Sequence, residues 1–186
     1  MRRLIGLAAA AAVLWSLWWI AAASTLQAGL GRWLDARRAE GWVAEAGSIL
    51  VTGYPLDFAA TVTGLELADP ETGLAWSAPE FRFVSRAWNP ANVAAVWPER
   101  QTVATPEERI AIEADGMEAA LVLLPGPALT LSAASAGLRA ASMVSSLGWQ
   151  ARVETARLVV DRLPGEGERY DLRAEIARLE PTQPIL

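Results

Sequence analysis

Leu4 to Ala23 is a run of twenty residues without a charged side chain. As a helix rising about 1.5 Å per residue it reaches about 30 Å, the thickness of a bilayer's hydrocarbon core. Arg2 and Arg3 precede the run, and basic flanks stay on the cytoplasmic side, so the expected topology is N-terminus in and body out. Trp15, Trp18 and Trp19 stand at i, i+3, i+4 near its distal end. On one helix side they suit the membrane–water interface, where an apolar ring and an N–H donor are both satisfied; a helix-packing surface is the alternative.

A cleaved signal peptide competes, because Ala21-Ala22-Ala23 supplies small residues at the right depth. The run is longer than a usual signal core, however, and helical spacing continues past it through Leu26, Leu30, Trp33 and Leu34. Arg37 and Arg38 fill a last turn and Gly41 stands where a C-terminal capping glycine belongs. The expected first segment is therefore residues 1–41, an uncleaved transmembrane anchor helix with an amphipathic extension, held in the bilayer by residues 4–23.

Charge separates this segment from the rest. Residues 1–41 carry five arginines against Asp35 and Glu40; residues 42–186 carry eleven against nineteen acids. An acidic body is a poor partner for phosphate backbones, so nucleic acid is not expected as a partner. Lysine, histidine and cysteine are absent. That removes disulfides, thiolate or imidazole catalysis, sulfur-held zinc, the Walker A lysine and Schiff-base chemistry. At 53% hydrophobic residues the chain is nonetheless too apolar to be disordered.

After Gly41 apolar residues alternate with a period of two. Phe58, Ala60 and Val62 alternate with polar or small neighbours, and at Gly64 the parity flips to Leu65 and Leu67, as in a β-bulge. Asp69–Gly73 reads as a turn, Phe81 and Phe83 as a strand, and Asn89-Pro90 as the next turn. Asp115-Gly116, between Ile110/Ile112 and Leu121/Leu123, reads as a type I′ hairpin turn. Pro125-Gly126-Pro127 and Pro164–Gly167 are breaks, 132–148 is open between strand and short helix, and 170–180 is a last strand. Thr105-Pro106-Glu107-Glu108 allows one helical turn at most. A degenerate apolar-x-x-apolar-x-apolar pattern recurs at Val62–Leu67, Val153–Leu158 and near Ile176–Leu179. The expected fold is mainly β: a transmembrane helix, then over 42–186 a curved antiparallel sheet of about eight to ten strands, groove-like or sandwich-like, with no long helix left to cover it.

Gly41-Trp42, Gly53-Tyr54-Pro55, Ala75-Trp76-Ser77-Ala78-Pro79 and, above all, Ala95-Val96-Trp97-Pro98 followed by Ala104-Thr105-Pro106 resemble a bacterial envelope family, domain of unknown function 2125. The resemblance runs nearly the whole chain, and it implies no activity and no catalytic residue. Family members are longer, so the resemblance also implies a chain truncated after Pro184-Ile185-Leu186. Its anchor-plus-β organisation is similar to that of periplasmic proteins that shield lipid chains in a groove, an analogy at the level of fold.

Glu166, Glu168 and Asp171 lack the spacing of a calcium loop and read as a solvated turn. Trp76, Trp88, Trp97 and Trp149 offer stacking surfaces for sugars or lipid headgroups, although packing is the ordinary use of tryptophan. The leading expectation is a single-pass inner-membrane protein with a periplasmic body that holds or passes lipid. Phe58, Val62, Leu65, Leu67, Phe81, Phe83, Ile110, Ile112, Leu121 and Leu123 would line its groove. No catalytic, metal or cofactor residue is expected. The alternative is a non-catalytic structural or protein-interaction module of the envelope, its strand edges open to a protein partner.

Overall fold

The computed structural model describes residues 1–124, 130–163 and 169–181. Helix α1 (Arg2–Ala39) is followed by β1 (Val43–Glu45), β2 (Ser48–Thr52), β3 (Asp57–Ala68), β4 (Ala75–Arg86) and β5 (Asn89–Val96). Then come β6 (Arg100–Ala104), β7 (Arg109–Leu123), β8 (Leu131–Ser145), β9 (Gln150–Arg162) and β10 (Tyr170–Pro181). The helix ends as the sequence suggests. The Gly41 N–H bonds the Arg38 carbonyl and the Trp42 N–H the Arg37 carbonyl, both at 3.0 Å, the pair of bonds that closes a Schellman cap.

The ten strands of the described residues belong to one continuous antiparallel sheet. β1 and β2 lie end to end along β3, and β5 and β6 lie end to end between β4 and β7. The chain is thus an up-and-down meander of eight rows, two of them interrupted. Consecutive rows are neighbours in the sheet, so among the described residues no crossover is needed. The stretch 132–148 resolves to β8 and a turn, and the turn expected at Asn89-Pro90 falls two residues earlier, at Ala87-Trp88. Thr105 makes no helix; its hydroxyl accepts the Glu107 and Glu108 N–H groups in an isolated turn. The breaks expected at Pro125-Gly126-Pro127 and Pro164–Gly167, with Glu166, Glu168 and the Pro184–Leu186 end, lie outside the described residues.

Asp115-Gly116 is not a hairpin. It sits inside the continuous fifteen-residue strand β7. Gly116 has φ +64°, and the pairing with β8 shifts around it. A left-handed residue reverses which way the following side chains point, and glycine takes that conformation without steric cost. The flip keeps Met117, Ala119 and Leu121 on the same face as Ile110, Ile112 and Ala114. Gly64 does the same in β3 at φ +58°, yet Thr63 still faces Glu80 and Leu65 still faces Ala78. The expected bulge is therefore a flip without an inserted residue. Ala140 and Arg178 take φ +47° and +51° in β8 and β10, and Ala141 faces Val153 on β9 while Leu179 does so from β10. The β1–β2 and β5–β6 interruptions fall on the same line. One transverse crease crosses the sheet, and each strand switches parity where it meets it.

One sheet face is largely apolar. Ala60, Phe83, Ala95, Ala119, Ala136, Leu158 and Ala174 face one another strand to strand. Contrary to expectation, a long helix does cover part of it: the second half of α1. Leu34, 5% exposed, packs into a cluster with Ala44, Val62, Leu65 and Phe81, while Trp19 and Ala23 are buried against Phe58 and Ala87. Burying a leucine contributes about 1.5–3 kcal/mol. Segments 1–41 and 42–186 therefore share two apolar clusters.

Candidate functional site

Between the distal half of α1 and the apolar face of β2–β4 lies a cavity of about 370 Å³. Leu30, Trp33 and Leu34 close it from the helix; Ile49, Val62, Leu65, Leu67, Trp76, Phe81 and Phe83 line the sheet side. None of these side chains is ionisable. Phe81 stands at the centre of an aromatic cluster, edge-on to Trp76, Phe83 and Trp97 with centroids 5.5, 4.7 and 4.8 Å away. The Trp76 N–H is already satisfied, donating to Gln101 Oε1 at 2.7 Å. At one end of the helix wall the Arg37 guanidinium lies 5.9 Å from Trp33 and 5.8 Å from Trp42, with Glu40 paired to it at 2.7 Å.

Beyond the helix the apolar face continues as an open hollow of about 280 Å³ over Trp97, Met117, Leu138, Ala156, Leu158 and Ile176. Together the two make a trough that begins under α1 and runs toward β10.

Of the ten anticipated groove residues, Val62, Leu65, Leu67, Phe81 and Phe83 meet at the covered cavity. Phe58 is on the same face but buried under Trp19. Ile110 shares a row with Leu67 and Trp76 through Val103, and Ile112 lies two residues along. Leu121 faces Val93 and Ala134, with Leu123 two residues further; these four β7 residues are half-buried outside the covered cavity. Leu30, Trp33, Leu34, Ile49 and Trp76 complete the lining unanticipated. The signal for the helix residues was present in the four-residue spacing of Leu26, Leu30 and Leu34, which marks a stripe with something to cover.

The tryptophans divide by role. Trp15 donates its N–H to the Pro55 carbonyl at 2.9 Å, and Trp19 to the Asp57 carbonyl at 3.0 Å; Trp18 is 43% exposed. Trp149 bonds the Glu108 carboxylate, which also accepts from the Ser145 hydroxyl. Trp88 is left exposed at a turn. Among the described residues no cluster of three or more acidic side chains is placed to hold a metal ion.

The family model described as "Uncharacterized protein conserved in bacteria (DUF2125)" matches residues 19–185. The chain belongs to this family. In this DUF2125 chain the match opens at Trp19, the first helix residue buried against the sheet. No curated protein and no solved structure matches the chain.

Proposed function

We propose that this DUF2125 protein is a non-catalytic, single-pass inner-membrane protein of the cell envelope whose periplasmic body holds or passes a lipid chain along its apolar trough. The observation that carries this reading is the covered cavity. Its volume of about 370 Å³ lies within the range of small-molecule sites, about 300–1,000 Å³, and its wholly apolar lining selects an alkyl chain over any polar ligand. The placement supports it as well. Helix α1 is long and apolar enough to cross a membrane, and its covering half continues directly from the segment that would do so. Arg2 and Arg3 before the apolar run favour a cytoplasmic N-terminus.

Because Trp19, Ala23 and Leu34 belong to the core, the test uses the full chain. Protein purified from membranes in a sugar-based detergent is expected to carry stoichiometric phospholipid or lipid A by mass spectrometry. Val62→Trp, which places an indole in the cavity, is expected to lose that lipid while keeping its circular dichroism. Lipid-free wild-type protein would overturn the reading.

A second reading, an interaction module, rests on β10. It is an edge strand among the described residues, with Leu172, Ile176 and Leu179 each more than half exposed. An open apolar edge is a template for a strand from a protein partner.

A further inference from the structure

We infer that the β2–β3 and β4–β5 turns form a foot that inserts into the distal leaflet of the same bilayer that α1 enters. The inference rests on the membrane-crossing reading of α1 and adds a second contact between the body and the lipid surface.

Residues 1–14 are all exposed. From Leu4 to Leu14 that free arm measures about 17 Å, whereas crossing the hydrocarbon core takes about 30 Å, or about twenty residues. A crossing that starts at Leu4 therefore needs Trp15 to Ala23 as well. Those residues are fastened to the body. Trp15 donates to the Pro55 carbonyl, the Ser16 and Tyr54 hydroxyls are 2.7 Å apart, and Trp19 donates to the Asp57 carbonyl. The Ala87 N–H bonds the Leu56 carbonyl at 2.8 Å, tying the second turn to the first. Whatever depth Trp15 and Trp19 take, both turns take with them.

The turns have the surface for that depth. Tyr54, Leu56 and Trp88 are 55%, 53% and 61% exposed, an expensive display in water and the residue types that settle at a membrane interface. Leu17 and Ile20, exposed at the same level of the helix, extend the apolar belt. Arg86 lies 5.6 Å from the Trp88 ring and pairs with Asp57 at 2.8 Å, so its charge is matched within the foot.

The chain has no cysteine, so single-cysteine variants label uniquely. Leu56→Cys and Trp88→Cys, each in the full chain with a nitroxide label, are reconstituted into vesicles of phosphatidylethanolamine and phosphatidylglycerol. Leu7→Cys reports the crossing helix and Thr72→Cys, in the turn at the opposite end of the sheet, reports water. Relative accessibility to oxygen and to a water-soluble nickel chelate gives depth. The foot requires Leu7 in the hydrocarbon and labels at 56 and 88 with an oxygen-to-nickel ratio several-fold above that at 72. Labels at 56 and 88 as wet as 72, with Leu7 in hydrocarbon, would refute the foot and leave the anchor standing. Leu7 in water would refute both.

Discussion

The Trp19 indole lies over the Phe58 ring, 24° from parallel with centroids 5.5 Å apart, and its N–H donates to the carbonyl of Asp57 beside it. This contact joins the apolar helix to the sheet and fixes the helix as one wall of the trough. Truncating Trp19 removes ring, stack and hydrogen bond together. Trp19→Ala is expected to cost about 3–5 kcal/mol, against about 1 kcal/mol or less for Trp18→Ala, whose ring is half in solvent. Denaturant unfolding of the full chain in detergent checks the difference; equal effects would mean that the helix does not dock here.

The crease gives a prediction with opposite signs at two positions. A Cβ at Gly64 would meet nothing closer than 3.6 Å, so Gly64→Val isolates the cost of a β-branched residue at positive φ, about 1–2 kcal/mol. Ala140 already carries such a cost at φ +47°, and Ala140→Gly is expected to raise stability by about 1 kcal/mol or less. Thermal unfolding of the two variants reads both.

Gln101 is buried at 6% exposure. It accepts from the Trp76 indole, and its amide lies 3.1 Å from Met117 Sδ. Gln101→Leu leaves the indole N–H without that partner and is expected to cost about 1–3 kcal/mol. Trp76→Phe in the same background removes the orphaned donor. A double-mutant cycle is therefore expected to show coupling of about 0.5–3 kcal/mol; strict additivity would contradict the bond.

Asp69 accepts the Glu71 backbone N–H at 2.9 Å and the Thr72 hydroxyl at 2.8 Å. These bonds, the Glu71 one first, hold its carboxyl below the ordinary value of 3.8. A folded-state pKa below the unfolded one stabilises the fold above the unfolded value, and that contribution is lost as pH falls through the folded value. Stability of the wild type is expected to fall more steeply than that of Asp69→Asn below about pH 4. A carboxyl resonance titrating at or above 3.8 would contradict the turn geometry.

Much of this architecture was legible in the residues. The apolar helix, its glycine cap and the alternation of β3, β4 and β9 could be read directly, because each depends on neighbours a few positions away. The crease could not, because it is a property of adjacent strands. Asp115-Gly116 satisfies the local requirements of a hairpin and of a strand flip equally; only the pairing with β8 tells them apart. The recurring apolar-x-x-apolar-x-apolar pattern at Val62–Leu67, Val153–Leu158 and Ile176–Leu179 is the same crease seen three times, not a repeated unit. Likewise Leu30 and Leu34 announced a face to be covered, but their partners Val62 and Phe81 lie beyond the reach of any local pattern.

The covered cavity is tested most directly by the position of a photoreactive side chain. Phe83 lines it, and Arg82, one residue away on β4, is exposed on the opposite face. Each is replaced in turn by benzoylphenylalanine in the full chain, in cells whose phospholipids are radiolabelled, and irradiated. A labelled lipid adduct at position 83 and none at position 82 is the expected result. No adduct at 83, or equal adducts at both, would contradict a lipid chain in the trough.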